Sequence, residues 1–176
     1  MNAIALLQAD HRYVEDIFRR LEDLSVDDSS SAEKRELCRD LVRELSILTA
    51  IEETIFYPAV KRSVGEAKEL LLESIEHNDV IKWELDALGS MKIPDERFNA
   101  KIRVVKDFVM HHVQHEQDEL FPMVEQAFGV AQLEKLGDKL QAAKVAASMG
   151  SRPRARLGRK RKPAKGPQAR QHSTHS

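Results

Sequence analysis

The chain has 176 residues, the size of one ordinary domain, and its formal net charge of −1 conceals an uneven distribution. Residues 151–176 contain nine Lys and Arg and no acidic residue, so residues 1–150 hold 19 basic against 29 acidic side chains. The single cysteine, Cys38, excludes a disulfide framework and a thiolate metal cluster. No apolar run approaches the roughly 18 residues that span a bilayer, and the N-terminus lacks the features of a signal peptide. We therefore expect a cytoplasmic protein with no membrane span.

Four segments carry apolar side chains at helical spacing. They run from about residue 3 to 24, from Ser31 to about Ala59, from Gly65 to about Leu88, and from Pro94 to about Leu120. A weaker fifth helix is predicted over about residues 131–147, and no segment shows the alternation typical of a strand. Long helices with short connections predict an all-α fold, an antiparallel up-down four-helix bundle with a short fifth helix.

The composition changes sharply after Met149 and Gly150. The last residues are basic and rich in Pro and Gly, and Leu157 is their single large apolar side chain. We predict a domain over residues 1–148 and a disordered basic tail over residues 149–176. Such a tail is suited to non-specific contact with nucleic-acid phosphates, to anionic lipid or to the acidic body of the protein. A solvated tail that only aids solubility is the simpler alternative.

The two halves of the predicted bundle contain a repeat. The segment TIFYPAV at residues 54–60 resembles ELFPMV at residues 119–124. Glu52 and Glu116 each lie six residues before the proline of their segment. His11 precedes Glu52 by 41 residues, and His77 precedes Glu116 by 39. The repeat predicts two helical hairpins related by a pseudo-twofold axis, an arrangement that builds a symmetric site in a bundle core.

Five polar side chains interrupt the apolar stripes of the four predicted helices: His11, Glu52, His77, His112 and Glu116. Their spacing from apolar neighbours predicts that all five point inward. A buried carboxylate without a partner costs several kcal/mol, and a bound cation removes that cost. His112 and Glu116 stand one turn apart on one helix face, as two ligands of one ion would. The pattern predicts a metal site.

Carboxylates combined with imidazoles are the ligands of non-haem di-iron and di-manganese centres in helix bundles. The same groups also bind a single ion, or zinc, so ligand type leaves the metal open. Each histidine taken alone is explained as well by a hydrogen-bonded core histidine, and His111 of the run His111, His112 and His115 is expected in solvent. The joint placement on four helices favours metal binding over polar packing.

On these residues the sequence resembles the hemerythrin-like, or HHE cation-binding, domain family. The matching stretches, ADHRYVEDIF, TAIEETIFYPAV, IEHNDVIKWEL and HHVQHEQDELFPMV, lie within a resemblance that covers about residues 3–145. It implies a four-helix bundle with a di-iron centre that binds oxygen and, in some members, senses oxygen, nitric oxide or iron or decomposes peroxide. The ligands implied by the match are His11, Glu52, His77, His112 and Glu116.

One residue departs from the family pattern. The family usually has a histidine four residues before the glutamate of the second helix, where this chain has Leu48. Glu15, Glu73 or Tyr57 is a candidate replacement, and water in an open coordination position is another. A weak or empty metal position, and so a mononuclear site, is the remaining alternative.

The sequence therefore predicts a non-haem iron protein, with di-iron favoured, that binds or senses oxygen, nitric oxide or peroxide. Its partner would be a small diatomic ligand or peroxide, and binding or sensing is favoured over catalysis. A peroxide-decomposing di-iron enzyme is one alternative. A metal-poor helical module that binds nucleic acid through the basic tail is the other. The oligomeric state is not indicated by the sequence.

Overall fold

A computed structural model describes residues 1–24, 31–93 and 95–150 of the chain, and within these ranges it contains helices and no strand. Seven α-helices follow in order: α1 Ala3–Asp23, α2 Ser31–Ile51, α3 Tyr57–Ser63, α4 Lys68–Ser90, α5 Phe98–His115, α6 Phe121–Ala127 and α7 Val130–Ser148. A π turn over Glu52–Phe56 joins α2 to α3, another over Glu116–Leu120 joins α5 to α6, and a 3-10 turn over Gly65–Ala67 precedes α4. Apart from Met149 and Gly150, the tail predicted to be disordered lies outside the described residues.

The helices form four long rods arranged in a ring: α1, α2 continued by α3, α4, and α5 continued by α6. Helix α1 packs against α2 and α5, and α4 packs against the same two helices from the other side. The fifth rod, α7, lies against α1, α2 and the first π turn. This arrangement confirms the predicted all-α four-helix bundle with an additional fifth helix.

Each rod buries one apolar face in the ring, as its sequence period predicts. Phe18, Phe56 and Phe121 are among the largest fully buried side chains, and Leu, Ile and Val fill most of the remaining core. Burial of this apolar surface is the main favourable contribution to folding. None of the helices in the described ranges combines the length and apolarity needed to cross a bilayer.

The two π turns are a departure from the uninterrupted helices predicted by sequence. In each, a backbone N–H bonds to the carbonyl five residues earlier: Tyr57 to Glu52, and Phe121 to Glu116. Pro58 and Pro122 follow directly, and a proline has no N–H to continue the regular helical ladder. Each π turn begins at the glutamate of its repeat, and π turns of this kind are frequent at functional sites.

Helix α7 is held by a close backbone contact. A Cβ atom added at Gly137 would lie 2.2 Å from the carbonyl oxygen of Met1 and 2.9 Å from the backbone nitrogen of Ala3. Only glycine leaves room for the start of α1 at this point. The fifth helix therefore packs on the bundle at a defined position.

Candidate metal centre

Four of the five predicted ligands converge in the middle of the bundle. His11 comes from α1, His112 from α5, and Glu52 and Glu116 from the first residues of the two π turns. Their residues are 1, 2, 0 and 0% exposed, respectively. Nε2 of His11 lies 3.7 Å from Oε1 of Glu52 and 3.4 Å from Oε2 of Glu116. Nε2 of His112 lies 3.8 Å from Oε2 of each carboxylate.

The ligand atoms at the centre of this cluster lack hydrogen-bond partners. Nε2 of His11 and of His112, Oε1 of Glu52 and Oε2 of Glu116 are all buried and make no hydrogen bond. A buried polar atom without a partner costs about 1–3 kcal/mol, more if it is charged. His11, Glu52 and Glu116 offer three ligand atoms that lie within 4.8 Å of one another. Imidazole nitrogens and carboxylate oxygens in this arrangement fit a transition-metal ion.

The protonation of the cluster is set by the attraction between its two kinds of group. Burial acts to raise the pKa of Glu52, but the imidazoles of His11 and His112 lower it to about 2. Burial acts to lower the pKa of His11, but Glu116 and Glu52 raise it to about 9. The same carboxylates outweigh burial at His112 and raise its pKa. Without metal, protons on the imidazoles therefore supply the positive charge that the carboxylates require.

Tyr57 and Asn78 complete the polar cluster by hydrogen-bonding the two carboxylates. The Tyr57 hydroxyl donates a 2.8 Å hydrogen bond to Oε1 of Glu116 and lies 3.4 Å from Oε2 of Glu52. The Asn78 amide donates to Oε2 of Glu52 at 3.0 Å and to the Tyr57 oxygen at 3.3 Å. Burial, followed by the two carboxylates, raises the pKa of Tyr57 well above its usual value. The hydroxyl therefore stays protonated and remains a donor.

The sequence contains a signal for Tyr57, but the signal for Asn78 is ambiguous. Tyr57 precedes the proline of its repeat as Phe121 precedes the proline of the other, so the two are equivalent positions. Asn78 lies four residues after Ser74 and three before Ile81, which is regular core spacing. His77 lies three residues after Ser74 and four before Ile81, which is also core spacing, and the sequence predicted His77 as the inward residue.

His11 is oriented by residues from the second π turn and α6. Its ring stacks on Phe121, with centroids 5.9 Å apart and planes 6° from parallel. The side-chain amide of Gln117 lies 3.2 Å from Nδ1 of His11. The stacking and the contact at Nδ1 orient the ring and leave Nε2 directed at the carboxylates.

His77 lies beside the four converging residues, half-buried, rather than among them. Its ring centroid is 5.7 Å from that of His112, in an edge-on arrangement. Burial, followed by the neighbouring imidazoles of His112, His115 and His111, lowers the pKa of His77. Asn78, the next residue of α4, is the one that reaches Glu52.

The structure distinguishes among the side chains that could take the place of the histidine missing at position 48. Leu48 is buried in the core, whereas Glu15 and Glu73 are exposed. Tyr57 is the candidate that contacts the clustered carboxylates. The phenol therefore supplies a polar group in the half of the bundle that lacks the second-helix histidine.

Two known proteins are similar to this chain. A crystal structure of a hemerythrin HHE cation-binding domain-containing protein from Mycobacterium kansasii superposes with a TM-score of 0.74 at 22% identity, covering 86% of this chain and 90% of that one. A protein named DNA nickase from Nostoc sp. strain PCC 7120 is 27% identical over 147 residues, which is 82% of this chain. The chain spans 39% of the length of that relative.

The family model described as the hemerythrin HHE cation-binding domain matches residues 2–124. This range includes α1 to α5, both π turns and all five predicted ligands. With the bundle and its buried histidine and glutamate side chains, the match assigns the described fold to a known group of cation-binding proteins. The chain belongs to the hemerythrin HHE cation-binding domain family.

Proposed function

We propose that this protein is a non-haem iron protein that binds or senses oxygen, nitric oxide or peroxide. The proposal rests on one observation: His11, Glu52 and Glu116 each offer a ligand atom within 4.8 Å of the others, and four buried atoms here have no hydrogen-bond partner, namely Nε2 of His11, Nε2 of His112, Oε1 of Glu52 and Oε2 of Glu116. A protein core retains such a group only when something satisfies it. Iron is a metal that this mixture of nitrogen and oxygen ligands suits.

In this proposal His11, Glu52, His112 and Glu116 hold the iron. Bound iron would supply a redox-active centre that small diatomic molecules or peroxide can reach. The protein residues orient the ligands through Gln117 and Tyr57 and enclose the centre in the core. Because the four ligands are almost completely buried, we expect small molecules to reach the iron and larger organic substrates to be excluded.

We favour a di-iron centre, with His77 as the ligand that the second ion would add. His77 is suited to this role because its ring lies beside that of His112, and Nδ1 of His77 is buried without a hydrogen bond. A mononuclear centre is the alternative, because Tyr57 and Asn78 already hydrogen-bond one oxygen of each carboxylate. Manganese and zinc bind the same types of ligand, so the metal-content experiment below compares them with iron.

Metal content tests the proposal directly. Protein purified from iron-replete cells should contain one or two iron ions per chain by elemental analysis, and its absorption spectrum should change when nitric oxide or peroxide is added. Metal-free protein reconstituted separately with iron, manganese and zinc shows which ion is preferred. Much less than one iron per chain, both as purified and after reconstitution, would contradict the proposal.

Peroxide decomposition is the second candidate function. Leu48 removes one expected imidazole, and the protonated Tyr57 hydroxyl lies between the two carboxylates. These features favour chemistry with an external ligand over inert storage of metal. Peroxide-dependent oxygen release by the iron-loaded protein tests this function, and His112→Ala should abolish it while the helix content is retained. Turnover no faster than that of free iron would exclude a catalase-like role.

The basic tail supports a separate proposal of non-specific nucleic-acid binding. Nine basic side chains within residues 151–176 would release counterions on contact with phosphates. The similarity to a protein named DNA nickase points in the same direction. Deleting residues 151–176 should weaken DNA and RNA binding and remove its salt dependence, and unchanged affinity would contradict the proposal. We propose the cytoplasm as the compartment because Cys38 is the single cysteine.

A further inference from the structure

The proposed metal centre lies deep in the core, so an ion must pass protein side chains to reach it. On one side, His11 is covered by Phe121 and Gln117. On the side of His112, a group of polar residues extends from the centre toward solvent. We call this group the outer histidine cluster, and it consists of Glu73, His77, His111, His115 and Glu119.

The three imidazoles of the outer histidine cluster meet at the junction of α4 and α5. The ring of His77 lies with its centroid 5.4 Å from that of His111 and 5.4 Å from that of His115. The edge of Phe108 packs against the same ring, with centroids 5.8 Å apart. His77 is therefore the member that contacts every other ring of the group.

Two carboxylates flank His115. Its Nδ1 lies 3.5 Å from Oε1 of Glu119, and its Nε2 lies 4.0 Å from Oε2 of Glu73. Nε2 is also 3.4 Å from the carbonyl oxygen of Leu70. The side chains of Glu73 and Glu119 are each 58% exposed, so they present negative charge to ions in solution.

Exposure decreases in steps from this surface to the centre. His111 is exposed, His77 is half-buried, and His112 is almost completely buried. Nδ1 of His77 and both ring nitrogens of His112 are buried without hydrogen-bond partners. Imidazole nitrogens without partners are thus present at the intermediate depth and at the proposed centre, and His111 adds an imidazole at the surface.

We propose that the outer histidine cluster captures a divalent transition-metal ion and passes it through His77 and His112 to Glu52 and Glu116. The inference rests on the proposed function, because it assumes that the buried centre holds a metal. Imidazole with carboxylate is a ligand set that Fe²⁺, Co²⁺ and Zn²⁺ share. Adjacent rings are close enough for one ion to exchange ligands between neighbours without leaving the protein.

The rate of metal uptake tests this route. Metal-free full-length protein is mixed with Co²⁺ in a stopped-flow instrument, and loading is followed by the visible absorption of bound cobalt. The double variant His111→Gln/Glu73→Gln changes two exposed members of the cluster and none of the proposed ligands. The matched control, His172→Gln/Glu134→Gln, makes the same chemical changes in the tail and at an exposed position of α7.

We expect the cluster variant to load at least about tenfold more slowly than the wild type, because it loses the local attraction for cations. The number of ions bound at equilibrium and the circular dichroism spectrum should be unchanged, and the control should load at the wild-type rate. Loading of the cluster variant at the wild-type rate would overturn the proposal. A lower final occupancy at an unchanged rate would also overturn it, by making the cluster a resident site.

The same experiment separates this inference from the proposed function. Wild-type protein that takes up no cobalt, and no iron in a parallel titration, would refute the buried centre and the route together. Wild-type protein that binds metal at equilibrium, while the cluster variant loads normally, would refute the route alone.

Discussion

The hydroxyl of Tyr57 donates a hydrogen bond to Oε1 of Glu116, and the two residues belong to opposite halves of the internal repeat. Tyr57 precedes Pro58 in the first half, and Glu116 begins the π turn of the second. The bond therefore ties the two hairpins together at the level of the proposed centre. It also occupies one oxygen of Glu116, which leaves Oε2 facing the imidazoles.

Replacing Tyr57 with phenylalanine should destabilise the metal-free protein by about 1–3 kcal/mol, because Oε1 of Glu116 would be left buried without its donor. Urea unfolding monitored by circular dichroism measures the change. Tyr13→Phe is the matched control, since Tyr13 is exposed. Equal stabilities for the two variants would show that the Tyr57 hydrogen bond contributes nothing measurable.

Replacing Leu48 with histidine should strengthen metal binding. The new imidazole would occupy the position four residues before Glu52 that is a histidine in the family pattern. We expect more iron per chain, or slower release of iron to a chelator, and a larger rise in melting temperature on iron addition than in the wild type. Leu48→Gln is the control, because it adds polarity without imidazole. A similar gain in both variants would contradict a role as ligand.

The metal-free protein should lose stability as the pH rises from about 6.5 to 9. The pKa of His11 is raised from 6.5 to about 9, so its contribution is complete below pH 6.5 and disappears as the folded-state pKa is passed. A shift of this size corresponds to roughly 3 kcal/mol. Urea midpoints measured across this range test the expectation, and His11→Gln should flatten the profile. A flat profile in the wild type would contradict the pairing of His11 with the carboxylates.

Neutralising one carboxylate of the centre should abolish metal binding without unfolding the bundle. Glu52→Gln keeps an oxygen for the Asn78 hydrogen bond but removes the negative charge. Glu53→Gln is the control on the adjacent residue, whose carboxylate bonds Lys82 at 2.7 Å near the surface. Elemental analysis should find iron in the control alone. Full iron content in Glu52→Gln would exclude Glu52 as a required ligand.

A methyl group at Gly137 should displace α7. The new Cβ would overlap backbone atoms of Met1 and Ala3, and this contact cannot relax by a side-chain rotation. We expect a loss of about 1–3 kcal/mol in the free energy of unfolding. Gly89→Ala is the opposite case, because nothing lies within 4 Å of the added atom and alanine favours the helix by about 1 kcal/mol. Destabilisation of both variants to the same degree would contradict this explanation.

The fold could be predicted because an amphipathic helix requires apolar residues at regular helical spacing in the sequence. Apolar side chains at helical spacing predicted a helix over the first segment, and Leu7, Val14 and Phe18 lie on the buried face of α1. The start of the second helix was expected near Ser31, and α2 begins there. The five-helix architecture follows from such stripes and from the short connections between them.

The details of the centre were less predictable because they depend on the exact rotation of each residue about its helix axis. His77 and Asn78 both satisfy helical spacing from Ser74 and Ile81, so one residue of rotation decides which of them reaches Glu52. The π turns add to the difficulty, since each advances the chain by one residue relative to the regular helix. The repeat around Pro58 and Pro122 marked the places of the π turns but not their geometry.

The two π turns also determine the alignment of the two glutamates. Each is equivalent to a single residue inserted into an α-helix, at the position where a glutamate enters the core. Deleting one residue between Glu53 and Phe56 would restore a regular helix and rotate one end of the rod relative to the other. The same deletion would remove the alignment of Glu52 with Glu116. The extra residue of each π turn therefore fixes where its glutamate lies, whereas the regular helical period alone accounts for the bundle.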